Sequence, residues 1–413
     1  QSGKPIIGIA QSGSDLSPCN RHFLSLSKTI KDGIRIAGGV PMEFPTHPIQ
    51  ETGKRPTAAL DRNLSYLSLV EVLYGYPIDG VILTTGCDKT TPAALMAAAT
   101  VNIPSIVLSG GPMLDGTYKG KKAGSGTIIW EARKLHAKGE IDYDEFMDMA
   151  AASAPSVGHC NTMGTASSMN SIAEALGMSL TGGAIIPAPY KERENISFET
   201  GKRIVDMVHE DLTPSKIMTK KAFENATYVA SAIGASSNCP PHLTAIAKHM
   251  GIDFGIENWE KLGHDIPLLV NCQPAGEHLM EGFFKAGGIP VIMQELLKNN
   301  KLHKNVMTVT GKTIEENLKN INNNNEDVIK SFNNPIVSNA GFIVMKSNFF
   351  SSAVMKTSVI SYEFRERYLS NLENPNVFEA NAVIFEGPED YHLRINDENL
   401  EINENSILMI RGC

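Results

Sequence analysis

Val81-Ile-Leu-Thr-Thr-Gly-Cys-Asp-Lys-Thr-Thr-Pro92 carries a short apolar run through a glycine into the start of a helix. The run over residues 80–84 reads as a strand. Thr90 or Thr91 can cap the helix that follows, with Pro92 in its first turn. Cys87, Asp88 and Lys89 therefore fall at the carboxyl end of a strand and beside a helix N-terminus. Ligand sites in open α/β sheets lie in that crevice, and the helix dipole there favours a thiolate, the form that binds metal.

Working outward, the same alternation recurs. Residues 6–10 form a strand before a helix near 21–37, a helix near 92–99 follows Cys87, and 106–108 is a further strand. Later helices are predicted near 163–176, 216–233, 243–250 and 289–298. Strands alternating with helices argue for parallel sheet covered by helices. Asn320-Ile-Asn-Asn-Asn-Asn-Glu326 is polar and of low complexity, as a linker is. Beyond it the pattern turns β-rich at 341–345, 353–360, 381–385 and 407–410. The expectation is an α/β fold: parallel sheets flanked by helices in a large N-terminal domain, 1–325, then a smaller β-barrel-like domain, 330–413. Gln1 in place of Met, and Cys413 directly after a strand pattern, make both ends read as cut and the second domain as truncated.

Bulk properties narrow the function. At 413 residues the chain exceeds one ordinary core, and 42% hydrophobic with 20% charged residues is the globular range. A net charge of −8 leaves no basic footprint, so neither nucleic acid nor anionic membrane is an expected partner. The longest apolar stretch, 93–109, is broken by Thr100, Asn102, Pro104 and Ser105, and so reads as helix plus strand rather than a membrane span. No signal peptide is evident, and six cysteines are too sparse for a disulfide scaffold. The expected setting is the cytoplasm. No internal repeat is evident either.

Cys19 lies in Gln11-Ser-Gly-Ser-Asp-Leu-Ser-Pro-Cys-Asn20 and Cys160 in Ser156-Val-Gly-His-Cys-Asn-Thr-Met-Gly-Thr165, each ahead of a helix. Three thiols at three loop-to-helix turns can meet at one soft metal centre. They can equally be three unrelated buried cysteines, since free Cys is commonly buried. Cys239, in Gly234-Ala-Ser-Ser-Asn-Cys-Pro-Pro-His242, would make a fourth thiolate and close the site; three would leave one iron open. Cys272 and Cys413 read as packing residues. A hard cation needs oxygen ligands. Asp88 and Glu51 supply carboxylates, and Lys89 can supply a third if it is held neutral and captures CO₂ as a carbamate. The plainer reading of Lys89 is a surface ion pair with Asp88. His159 is either a contact near the substrate or a helix-start histidine bonded to backbone.

Ser17-Pro-Cys-Asn20, Thr85-Gly-Cys-Asp-Lys-Thr-Thr-Pro92 and Gly158-His-Cys-Asn-Thr-Met-Gly-Thr-Ala166 together resemble the dihydroxy-acid/6-phosphogluconate dehydratase family. The resemblance continues through Gly234-Ala-Ser-Ser-Asn238, Ala286-Gly-Gly-Ile-Pro290 and Met355-Lys-Thr-Ser-Val359. Phe44-Pro-Thr-His-Pro-Ile-Gln-Glu-Thr-Gly-Lys-Arg-Pro56 is most similar to the branch acting on pentonates such as arabinonate or xylonate. The resemblance implies Cys19, Cys87 and Cys160 as ligands of a 2Fe-2S cluster (4Fe-4S in other relatives), and Glu51, Asp88 and carbamylated Lys89 as ligands of Mg²⁺. It implies a hydro-lyase converting a sugar acid to a 2-keto-3-deoxy acid, in a homodimer or homotetramer. A small residue is usual at the position of Cys239. The family's base, a Ser, and a further Mg²⁺-binding Glu would lie past Cys413 and are not in this sequence. Alternatives are a branched-chain dihydroxy-acid or 6-phosphogluconate dehydratase, and a truncated, non-catalytic cluster-binding protein. A nucleotide-binding protein fits poorly, because Ser109-Gly-Gly-Pro112 and Thr181-Gly-Gly183 match no phosphate-binding loop.

Overall fold

In the computed structural model, which describes residues 3–50, 54, 58–348, 350–373, 377 and 379–412, strands and helices alternate from the first strand onward. They are β1 (Ile6–Gln11), α1 (Phe23–Ile36), β2 (Val40–Pro45), α2 (Asp61–Gly75), β3 (Gly80–Thr85), α3 (Thr90–Val101) and β4 (Ser105–Ser109). The four strands form one parallel sheet in the order β2-β1-β3-β4. Every residue of β3 and β4 is buried, as expected of parallel strands covered on both faces. The α1 helix buries Phe23, Leu26, Ile30 and Ile34, one stripe at three- and four-residue spacing. α3 is buried nearly all round, with β3, β4 and α2 packed against it.

The chain turns to one side of β1 to make β2 and to the other to make β3 and β4. The switch point therefore falls between β1 and β3, where open α/β sheets place their ligand crevice. The loops leaving those two strands carry Cys19 and Cys87.

A small hairpin, β5 (Gly116–Tyr118) and β6 (Lys121–Ala123), leads into helices: α4 (Ile128–Ala137), α5 (Tyr143–Ala152), α6 (Thr165–Ala175) and α7 (Lys191–His209). α7 packs along α1 and against β3 and β4. Then come α8 (Pro214–Ile217), α9 (Lys220–Ala232), α10 (Cys239–His249), α11 (Glu257–Gly263), α12 (Met280–Lys285), α13 (Gly288–Lys298) and α14 (Ile314–Asn317). The single helix expected over 216–233 is two, because Met218 leaves helical geometry and Thr219 is extended ahead of α9. The antiparallel hairpin β7 (Phe342–Met345) and β8 (Ala353–Lys356) closes this part, with Phe342 set edge-on to buried Trp259 at 5.0 Å.

The chain divides into two compact units, Gln1–Val359 and Ile360–Cys413. The second contains α15 (Tyr362–Tyr368), β9 (Asn381–Phe385), α16 (Pro388–Arg394) and β10 (Ser406–Ile410). β9 and β10 are parallel, joined through α16, and form a two-stranded sheet. The β-barrel-like expectation is corrected here: among the described residues no closed barrel is formed. The strand patterns over 341–360 and 381–410 build separate two-stranded sheets, and a β-α-β crossover leaves parallel edges rather than a closing meander. No described helix is long and apolar enough to cross a membrane.

Candidate active site

The Cys87 turn begins where β3 ends. Gly86 must be glycine, because a Cβ there would stand 2.3 Å from Asn20 Oδ1. That same oxygen accepts the Cys87 backbone N–H at 3.0 Å, so Asn20 ties the loop after β1 to the loop after β3. α3 starts one residue before the two threonines' expected capping place. Lys89 is its N-cap residue, and Thr90 Oγ1 instead donates to the Cys87 carbonyl at 2.8 Å and accepts Gly86 N–H at 3.1 Å.

Around that turn the sulfurs gather. Cys19 and Cys87 lie close enough to interact, and the Cys87 side chain is the main reason the Cys19 thiol is held below its ordinary pKa. Gln50 Nε2 donates to Cys19 Sγ at 3.2 Å, while Gln50 Oε1 accepts Cys19 N–H at 3.4 Å. Cys160 stands close enough for the negative charge of Cys19 and Asp88 to act on it. Burial first, and those charges second, push its thiol up to about 11. The protein alone thus lowers the pKa of one thiol and raises that of the next.

Cys160 arrives differently from the other two. No strand precedes it: α5 ends at Ala152, and the loop is held by Met113 N–H to His159 O at 2.9 Å and His159 N–H to Gly111 O at 3.0 Å. Gly158, at φ +120°, lies so near Pro112 and Met113 that a Cβ would meet their backbone at 2.7 Å. Asn161 Oδ1 accepts Ser125 N–H at 2.9 Å and Asn161 Nδ2 donates to Leu114 O at 2.8 Å. On α6, Asn170 reaches back to the Cys87 turn. Its Oδ1 accepts from Thr85 at 2.9 Å and Thr91 at 3.2 Å, and its Nδ2 donates to Gly86 O at 3.2 Å.

Beside the thiols, Asp88 Oδ1 accepts from Cys87 Sγ at 3.4 Å and Asp88 Oδ2 pairs with Lys89 Nζ at 2.9 Å. The pair is buried, with 8% and 13% of the Lys89 and Asp88 side chains exposed, so it is not the surface ion pair of the plainer reading. Glu51 lies outside the described residues. Among the described residues no three His, Cys, Asp or Glu side chains gather tightly enough to hold a single metal ion. His159 is fully buried; its Nδ1 donates to the Cys160 carbonyl at 3.0 Å, and burial holds its pKa down to about 3. Cys239 is fully buried at the start of α10, with its thiol pushed up to about 12. Cys272 is buried, and Cys413 lies outside the described residues.

Asn20, Gln50, Ser125, Asn161 and Asn170 hold the three cysteine turns together, and none was singled out from sequence. Two had a visible signal: Cys19-Asn20 and Cys160-Asn161 repeat one dipeptide, and both asparagines brace a neighbouring loop.

The dihydroxy-acid/6-phosphogluconate dehydratase N-terminal pattern matches residues 4–317, and the C-terminal pattern of the same family matches 327–413. The chain is 59% identical over 413 residues to a D-xylonate dehydratase of Caulobacter vibrioides, covering all of this chain and 69% of that protein. It is 44% identical over 412 residues to an L-arabinonate dehydratase of Rhizobium leguminosarum, again covering 100% of this chain and 69% of the relative. A dihydroxy-acid dehydratase of Acetivibrio thermocellus is 36% identical over 367 residues, 87% of this chain and 66% of the relative. The chain belongs to the dihydroxy-acid/6-phosphogluconate dehydratase family of hydro-lyases, within its sugar-acid branch.

Proposed function

We propose that the chain dehydrates a five-carbon sugar acid, D-xylonate or L-arabinonate, to a 2-keto-3-deoxy acid. The observation that carries the reading is the approach of Cys19 to Cys87 at the switch point, with Cys160 nearby and the largely buried Asp88–Lys89 pair alongside. The names of the two pentonate dehydratases support the substrate class.

The donor set suits the groups the family reading brings. Three converging thiols are soft ligands for an iron–sulfur cluster, 2Fe-2S in preference to 4Fe-4S, which spreads its ligands wider than one ion does. Lys89 suits Mg²⁺ only if modified. As an ammonium it repels a cation and sits at the N-cap of α3, where positive charge is disfavoured; as a carbamate it reverses both signs. We assign Cys19, Cys87 and Cys160 to the cluster, and Glu51, Asp88 and carbamylated Lys89 to Mg²⁺. When bound, the two centres supply Lewis acidity at the substrate carboxylate and at the departing C3 hydroxyl. The chain's own part is positional. Gln50 and Asn20 fix the Cys19 and Cys87 turns, and the positive end of α3 favours an anionic substrate beside Asp88. Cys87 is buried, and Cys19 and Cys160 are partly so. His159, bonded to its own backbone, shapes the Cys160 loop. No residue described here is assigned as the base at C2.

The proposal includes a cytoplasmic setting, in keeping with the free cysteines, and a homo-oligomer. Leu60, at the N-cap of α2, and Leu64, Leu67 and Tyr74 along it expose an apolar stripe, which supports self-association. Turnover of D-xylonate, L-arabinonate and 2,3-dihydroxyisovalerate, measured side by side on anaerobically prepared protein, tests the substrate class. The pentonates should be consumed much faster; preference for the branched-chain acid would overturn the assignment.

A further inference from the structure

His242 lies in the first turn of α10, a helix that packs against α3, and only 6% of it is exposed. Arg62, from α2, brings Nη1 to 3.0 Å from His242 Nδ1. A guanidinium can only donate, so Nδ1 accepts and the ring's one proton sits on Nε2. The same contact leaves no place for a second proton on Nδ1, and Lys89 lies near enough for its charge to act on the ring. His242 is therefore a neutral ring of fixed tautomer in the neighbourhood of Lys89. Its Nε2–H has no hydrogen-bond partner among the described residues, although buried donors are seldom left unmet.

A donor held in this way beside two cations is complementary to an anion. Resting on the carbamate reading above, we propose that His242 Nε2–H donates to the carboxylate formed on Lys89, with Arg62 fixing the tautomer that makes the donation possible. In that modification the lone pair of the neutral Lys89 amine bonds to the carbon of CO₂. One C=O electron pair moves onto oxygen, and the nitrogen releases a proton to water. The product is an anion where an ammonium stood, and it supplies the acceptor that Nε2–H lacks. His242 is thus a positioning residue: it orients the carbamate toward the cation rather than meeting substrate.

The test is carbon-13 NMR of the protein with Mg²⁺ present, titrated with labelled bicarbonate. Wild type should show a carbamate resonance. His242→Leu should need roughly tenfold or more additional bicarbonate to reach half its maximal signal, the ordinary weight of one hydrogen bond to a charged group. His242→Gln, which keeps a donor at similar reach, should stay near wild type, and His242→Asn, with a shorter reach, should not. A resonance present in wild type and titrating identically in His242→Leu overturns this inference alone. Its absence from wild type overturns the carbamate reading and this inference with it. Should the Leu variant not fold, identical titrations of the Gln and Asn variants would overturn the inference.

Discussion

Cys87 and Cys239 are both buried near a helix start, Cys87 in the turn just ahead of α3 and Cys239 as the first residue of α10, yet their surroundings differ. Cys87 faces the Cys19 thiol and the Asp88 carboxylate, and its backbone is tied to the loop after β1 through Asn20. Cys239 is enclosed, with Ser168 and Lys356 nearby, and burial pushes its thiol up to about 12. Both enjoy the partial positive charge of a helix N-terminus. A helix start does not by itself gather thiols; the meeting of several turns does.

Activity should separate the two cysteines most widely. Cys87→Ser should lose more than about 100-fold in turnover, beyond the range that changes around a metal's ligands usually cost, whereas Cys239→Ser should stay within roughly twofold. Comparable losses in both would break the contrast. Lys89→Arg comes next. It keeps the charge beside Asp88 but cannot take up CO₂, so turnover should again fall about 100-fold with the circular dichroism spectrum unchanged. Wild-type turnover in that variant would remove Lys89 from the site.

Asn170→Ala sharpens the comparison by cutting what joins the Cys160 helix to the Cys87 turn. It strands the buried Gly86 carbonyl and the Thr85 and Thr91 hydroxyls, so chemical denaturation should show a loss of about 1–3 kcal/mol. Activity should drop roughly 10-fold. A stable, fully active variant would mean the turns are held some other way.

The smallest effect lies on the Cys239 side. Lys356 donates to Gly234 O at 2.6 Å, and burial lowers its pKa from 10.5 to about 8. Between those values the unfolded chain binds a proton that the folded chain does not, so folding stability should rise with pH across that window. The gain is bounded at about 3 kcal/mol by 1.36 kcal/mol per pKa unit. Lys356→Met should flatten that slope in pH-dependent denaturation; an unchanged slope would assign it to other groups.

Much of the first unit was legible because apolar strands and helical stripes alternate without ambiguity: β1, β3, β4, α1 and α13 lie where residue pattern put them. The Cys19 and Cys87 turns were legible for the same reason, each being a strand end running toward a helix. The Cys160 loop was legible as a turn ahead of α6, but its support was not, because that comes from side chains far apart in sequence, Asn170 and Ser125 among them. The second unit misled. Its short helices α15 and α16 carry mixed charge and no buried residue, and its strands pair through a crossover that strand composition does not announce. Cys239 looked like its three counterparts, since depth of burial and identity of neighbours are tertiary facts.

Iron and acid-labile sulfide in anaerobically purified protein report whether Cys19, Cys87 and Cys160 hold one cluster. Wild type and Cys239→Ser should contain both in equal amounts, and Cys19→Ser, Cys87→Ser and Cys160→Ser should each lose them. A full complement of iron and sulfide in all three of those variants would contradict the account.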